Sequence, residues 1–182
     1  MKIIPLPSET TAITGWTHKV SIFASDLTAA AGTQTFTIFP DGSAAGYYSN
    51  GQAIQDTTLA ALPAGFQVEK SQIRVVSVFT GVGITAATIT VGDKANTARY
   101  IASASTDLYT AIGVGGTNSK DNVASATTYA FTSADVTNGN AVLQAVIGTT
   151  GANVSLAAAS GGQVDILLAL ADPTAQQYVT GT

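Results

Sequence analysis

From Trp16 onward the chain is cut into short β-rich segments by clusters of Gly, Asn, Asp and Ser, and hardly any window carries a sustained helical repeat of apolar residues. That punctuation limits the body to an all-β fold. Candidate strands are KVSIF, QTFTIF, QIRVVSVFTG, ITAATITV, ARYIAS, DLYTAIG, TYAFTS, AVLQAVIG and GQVDILLAL, roughly eight to ten in all. Turn signals stand between them at Asp41-Gly42, Asn50-Gly51 and Asn138-Gly139. Single helical turns fit around Thr57 to Leu62 and around Ser133 to Val136, both too short to organise a fold. No internal repeat marks a solenoid or propeller.

Two segments predict how the strands are buried. In QIRVVSVFTG, Ile73, Val75, Ser77 and Phe79 share one face and Arg74, Val76 and Val78 the other, so both faces are mostly apolar. Such a strand lies centrally in a sandwich, or where the outer face of a sheet meets another subunit. In GQVDILLAL, Val164, Ile166, Leu168 and Leu170 point one way and Asp165 the other, the pattern of a half-buried strand. The resulting expectation is an antiparallel β-sandwich over residues 16–182, a single domain. Residues 1–15, which carry Pro5 and Pro7 with Ser8, Glu9, Thr10 and Thr11, are expected to form an extended N-terminal arm.

Only 10% of the 182 residues are charged, against roughly 25% in an ordinary soluble domain. The surface is therefore largely Thr, Ser, Asn, Gln, Gly and Ala, which repels little and loses little solvation when covered. Permanent packing against partners suits it. The net charge of −4 and the scatter of the seven Lys and Arg residues exclude a polyanion ligand, so no nucleic acid is expected as partner. No apolar run approaches the roughly 20 residues of a membrane span, and no membrane partner is expected. With no cysteine there is no disulfide framework, no thiolate metal site and no cysteine nucleophile. MKIIPLPSETTAITGW lacks the apolar core of a secretory signal, because Pro5 and Pro7 interrupt it, and cytoplasmic synthesis from Met1 is expected.

The search for catalytic chemistry returns little. His18 is the single histidine, no Gly-x-Ser-x-Gly elbow exists, and a lone histidine where a strand begins reads as a strand-edge or interface residue. Gly81, Gly83 and Ala86 match a dinucleotide fingerprint, but the residues after them read as a strand, so a tight hairpin is expected at Gly81 to Gly83. GVGGTNSKDN has Lys120 and Asp121 at the wrong spacing for a phosphate loop and reads as an exposed loop. The eleven acids are dispersed; Asp26, Asp41, Asp56, Asp93, Asp107, Asp121 and Asp135 read as turn residues, with calcium ligation through loop oxygens as the other use of such acids. The sequon Asn153-Val154-Ser155 is read as incidental. Neither a cofactor nor an enzyme activity is expected.

Contact residues can be named instead. Tyr47 and Tyr48 either stack on a sugar or partner, or place one ring in the core and one over its rim. Trp16 either anchors a subunit contact or plugs its own core. Pro5 and Pro7 in the arm, with Val76 and Val78 on an outer face, complete the candidate subunit or capsid contacts.

The stretch ITVGDKANTARYIAS, followed by DLYTAIG, AVLQAVIGTTGANVSL and GGQVDILLALAD, resembles jelly-roll virion proteins of tailed bacteriophages, over residues 65 to 172. In that group a strand ending in Val-Gly-Asp passes through a polar corner to a strand with an aromatic residue, and a late Gly-x-Val-Asp/Glu strand closes the domain. The resemblance implies capsid decoration or cement, a homotrimer, and a major capsid protein as partner on the outside of a phage head. Its alternative is a tail or fibre component that recognises a host surface through the Tyr47-Tyr48 loop and the loop from Gly113 to Thr128. It implies that Asp93, Lys94 and Asn96 form a strand corner, with Gly92 relaxing the backbone and Asp93 bonding nearby amides.

Overall fold

The computed structural model describes residues 1–5, 15–30, 32–38, 62, 64–103, 106–109, 122–150 and 155–171. Among the described residues there are nine strands: β1 (Lys2–Pro5), β2 (His18–Phe23), β3 (Thr33–Ile38), β4 (Gln67–Gly81), β5 (Ala86–Asp93), β6 (Asn122–Ser125), β7 (Tyr129–Ala130), β8 (Leu143–Thr150) and β9 (Ala159–Ala171). A five-residue helix, α1 (Ser133–Thr137), precedes β8. A six-stranded sheet has the order β1-β2-β9-β4-β6 with β7 also on β4, and a three-stranded sheet has the order β3-β8-β5. Every pairing is antiparallel. From β2 to β6, successive strands fall alternately in the larger and the smaller sheet.

The alternation of side chains builds the core. Val164, Ile166 and Leu168 of β9 are fully buried beside Val20 and Ile22 of β2 and Ile73 of β4, and they meet Leu143, Ala145 and Ile147 of β8 with Ile89 and Val91 of β5 from the other sheet. Each such Val, Leu or Ile contributes about 1.5–3 kcal/mol by leaving water. The half-buried pattern expected of GQVDILLAL holds: Asp165 lies on the opposite face, where Ser21 Oγ (2.8 Å), Gln163 Nε2 (2.9 Å) and Lys19 Nζ (3.3 Å) donate to its carboxylate.

β4 departs from simple alternation. Its register against β9 shifts between Val75 and Ser77 and again between Ser77 and Thr80. The first bulge turns Ser77 outward, and the second returns Phe79 to the core, where it is 1% exposed. Ser77 therefore does not share the buried face with Ile73, Val75 and Phe79. On the other side Val76 is 51% exposed, whereas Val78 packs against the core cluster and does not share its outward setting. Opposite these bulges stands Gly162, whose φ of 131° and whose approach to Phe79, 2.6 Å from a built Cβ to the Phe79 Cα, admit no side chain.

Two connections differ from expectation. The turn at Gly81 to Gly83 exists, with Ile84 N–H donating to the Gly81 carbonyl at 3.3 Å and Gly83 at φ 85°. It is not a hairpin, because β4 and β5 belong to different sheets. Local turn chemistry makes the chain reverse; which sheet it rejoins is decided by burial of Ile84 and Ala87. The first residues of the expected arm, Lys2–Pro5, pair with β2 as the edge strand of the six-stranded sheet. Met1 is buried, and its amino group pairs with the Asp26 carboxylate. Pro5 takes the last position of that edge strand, where a missing N–H is tolerated.

Candidate functional site

The densest polar constellation among the described residues begins where β5 ends. Asp93 is 1% exposed, and its Oδ1 accepts from the amides of Ala95 (2.9 Å) and Asn96 (2.8 Å). Its Oδ2 accepts from Arg99 Nε, and Arg99 Nη2 reaches Oδ1 at 3.4 Å. The main chain closes the same corner, with Asp93 N–H donating to Asn96 O at 3.0 Å and Arg99 N–H to Asn96 O at 3.1 Å. Gly92 is needed here for space: a Cβ would stand 2.5 Å from the Thr97 carbonyl carbon. Its role is close approach of two backbone segments, which is a stricter demand than relaxed geometry.

Arg99 carries the network across the sandwich. Its guanidinium lies 3.8 Å from the centroid of the Tyr129 ring on β7, a strand of the other sheet. Tyr129 stands edge-on to Phe131, with centroids 5.5 Å apart, and its hydroxyl donates to Asp135 Oδ2 at 2.9 Å. That oxygen also accepts from the Thr132 amide (2.8 Å) and hydroxyl (2.7 Å), while Asp135 N–H donates back to Thr132 Oγ1 at 3.1 Å. This is the capping box of α1. The hydrogen bonds from Thr132 hold the Asp135 carboxyl below its usual range, and the bond to Asp135 pushes the Tyr129 phenol up. The bond to Asp93 raises Arg99, and burial pushes the Tyr100 phenol well up. All four groups keep their ordinary charge at neutral pH. Asp93 has both oxygens engaged, Asp135 takes three donors on Oδ2 and the guanidinium is covered by a ring, so the arrangement ties sheet to sheet and presents no activated base or nucleophile.

The rest of that sheet edge is closed by the segment that follows. Val91 exchanges main-chain bonds with Ile101 at 3.0 Å, the Thr106 hydroxyl takes the Ile89 amide (2.9 Å) and donates to the Ile89 carbonyl (3.0 Å), and Leu108 N–H donates to Ala87 O (2.8 Å). Of the expected strand ARYIAS only Ile101 makes a bridge, because the Asp93–Arg99 turn and Thr106 take over the pairing. The described part of DLYTAIG is likewise no strand: fully buried Leu108 also accepts from Phe79 N–H (2.8 Å), joining β4 to β5.

The other edge of the three-stranded sheet is different, and strand prediction alone did not reveal it. Thr149 N–H donates to Gly32 O at 2.8 Å, in register with the pairs Gln34↔Ile147 and Phe36↔Ala145. Even-numbered residues of β3 thus direct their backbone groups at β8, and Thr33, Thr35 and Thr37 direct theirs away from the sheet. Among the described residues nothing pairs with them. The alternating threonines of TQTFTI were the available signal, since an uncharged strand without Pro or Lys is unprotected at an edge.

The sequence-named contact residues are not gathered into one place. Pro5 ends β1 opposite His18, and Trp16 is half-buried with Lys70 Nζ 4.5 Å from its ring centroid. His18 Nδ1 lies 2.9 Å from Thr17 Oγ1. Val76 is exposed on β4; Pro7, Tyr47 and Tyr48 lie outside the described residues, as do residues 113–121 and Asn153. Among the described residues no three His, Asp or Glu side chains form a metal-holding group, and no helix is long and apolar enough to cross a membrane.

No protein-family model matches the chain, and no curated protein does. Among solved structures, the acidic stable capsid structure of Helicobacter pylori bacteriophage KHP30 holds a chain with 22% identity, matched over 82% of this chain and 90% of that one at a TM-score of 0.34. The cyanophage Pam1 capsid asymmetric unit holds one with 17% identity, matched over 82% of this chain and 81% of that one at a TM-score of 0.35. Superposition at these scores assigns neither fold nor role; what the chain is similar to, at that level, is two chains from phage capsid structures.

Proposed function

We propose that this chain is a structural virion protein of the decoration or cement kind, which binds the outside of a phage head lattice and stabilises it. The observation that carries the reading is the outer face of the three-stranded sheet. Register places Thr33, Thr35 and Thr37 beside Gly148, Val146 and Gln144, and these beside Thr88, Thr90 and Gly92, without one charged residue. Thr33 and Thr35 are the exposed positions of this face, while Gly92 and the Thr90 hydroxyl are buried. An uncharged strip of this kind loses little solvation when covered, whereas the strong polar groups of the corner are engaged inside the protein. A sandwich with one chargeless sheet face fits a protein whose work is to be packed against.

In this reading the alternation of strands between sheets is a jelly roll, and Val76 is covered in a homotrimer seated on the major capsid protein. Stabilisation follows by mass action: a protein that binds the mature lattice better than the ruptured one opposes rupture by that difference in affinity. No side chain has to be activated. The sequence resemblance to jelly-roll virion proteins supports the same conclusion.

Quantitative mass spectrometry of purified virions, counting this chain against the major capsid protein, tests it. A lattice-like ratio is the expected result. A handful of copies would move the chain to the tail or fibre, and its absence would overturn the virion reading. Sedimentation equilibrium tests the trimer separately.

A further inference from the structure

We infer that the open edge of β3 is a docking surface for the same edge of a second copy of this chain, paired antiparallel about Thr35. Unpaired main-chain donors and acceptors in a row specify their occupant closely, because only another extended strand satisfies them. Thr33, Thr35 and Thr37 supply three N–H and three C=O groups pointing out of the sheet.

The remaining edges show what protection looks like here. The β5 edge is closed by Ile101, Thr106 and Leu108. β1 contains Lys2 and Pro5, both of which discourage strand addition, and β6 and β7 are only four and two residues long. β3 has six residues, TQTFTI, with no Pro, no charge and no register shift against β8. Among the described residues it alone of the edges has no guard.

Charge and register favour a second copy as occupant. The chain carries a net charge of −4, so two copies approach best along a strip that bears none, and β3 is such a strip. Antiparallel pairing centred on Thr35 sets Thr35 opposite Thr35 and Thr33 opposite Thr37, keeping threonines on the outer face and Phe36 on the core side in both copies. In this register the outward backbone groups of one copy meet those of the other, so all are satisfied reciprocally and the two three-stranded sheets become one. The contact is isologous, so it closes on itself as a two-fold pair. It is separate from any contact at Val76 and stands whether or not the chain is a capsid component.

The protein has no cysteine, so a single introduced thiol reports the register. Paired residues of this kind have Cα atoms about 5.5 Å apart, inside the range a disulfide spans. Thr35→Cys under mild oxidation is expected to yield a covalent dimer as the main species, and Thr33→Cys mixed with Thr37→Cys a cross-linked pair that neither variant gives alone. Val82→Cys, at the exposed turn after β4, measures collision-driven cross-linking. Sedimentation velocity of the unmodified chain is expected to show a dimer boundary that Thr35→Pro abolishes, since the amide removed is one that β8 does not use. Cross-linking of Thr35→Cys no faster than Val82→Cys, together with no Thr33–Thr37 pair, would overturn the inference. So would a dimer boundary untouched by Thr35→Pro in a variant that retains the native far-ultraviolet spectrum. Capture of a different extended chain by β3, without self-pairing, would overturn the choice of occupant.

Discussion

The two edges of the three-stranded sheet meet the same physical problem with opposite outcomes. Along β5, the outward backbone groups of Ala87, Ile89 and Val91 are taken by Leu108, Thr106 and Ile101, and the corner that delivers those residues is pinned by Asp93 and Arg99. Along β3, the outward groups of Thr33, Thr35 and Thr37 find no partner among the described residues. One edge is closed within the chain, and its polar side chains are structural; the other has no such closure among the described residues. The contrast teaches where to look for function when the described polar clusters are engaged in holding the fold together. Side chains rich in interactions, such as Asp93 and Asp135, mark the scaffold, and the plain threonine strand marks the available surface.

The largest effect is expected at the closed edge. Asp93→Ala removes the acceptor of two amides and the partner of Arg99, whose side chain remains 22% exposed, so the cost falls at the low end for a broken buried pair, about 3 kcal/mol. For a chain of this size that is a fall in Tm of about 6–12 °C. Calorimetry of the variant checks it, and a fall no larger than that of an exposed-site control would show that the corner does not hold the edge shut. Thr106→Val comes next. The isosteric change keeps the packing but strips the Ile89 amide of its partner, for an expected loss of about 1–2 kcal/mol, measurable by urea unfolding. Neither variant is expected to alter self-association.

How much of this was legible before the structure depends on whether the cause was local. The strands around Val164 to Leu170 and around Leu143 to Ile147 were legible because alternation with period two is written into them. So was the turn character of Asp93, Asp107 and Asp135, where a short carboxylate reaches amides two or three residues away. A bulge is set by the partner strand, so alternation alone puts Ser77 on the wrong face, and turn residues do not say which sheet comes next, so Gly81 to Gly83 has the signature of a hairpin without being one. The path from Asp93 through Arg99 and Tyr129 to Asp135 joins segments far apart in the chain, and the edge status of β3 is a fact about topology; no window of sequence contains either.

A weaker effect is expected from acid. The folded-state carboxyl of Asp135 titrates below its ordinary 3.8, so its contribution is fully present above that value and is lost as pH falls through the lower folded value. In Asp135→Asn the carboxylate is absent at every pH. The difference in Tm between the parent and this variant should therefore be constant near neutrality and shrink only below about pH 3.8. A difference that already shrinks near neutral pH would sever Asp135 from the tie that supports the closed edge.

The smallest expected change in stability belongs to Thr35→Lys, and its smallness is the point. Thr35 is exposed, its backbone groups face away from β8, and among the described residues no hydrogen bond or ion pair uses its side chain, so the variant should stay within about 0.5 kcal/mol of the parent in dilute solution. In a pair centred on Thr35 the same substitution sets two like charges opposite each other, which a strand pair tolerates poorly. The expected signature is an unchanged monomer melt with loss of the dimer boundary in sedimentation. If Thr35→Lys instead costs as much stability as Thr106→Val, then β3 is closed within the chain as β5 is, the two edges are alike, and the surface must be sought on the sheet faces.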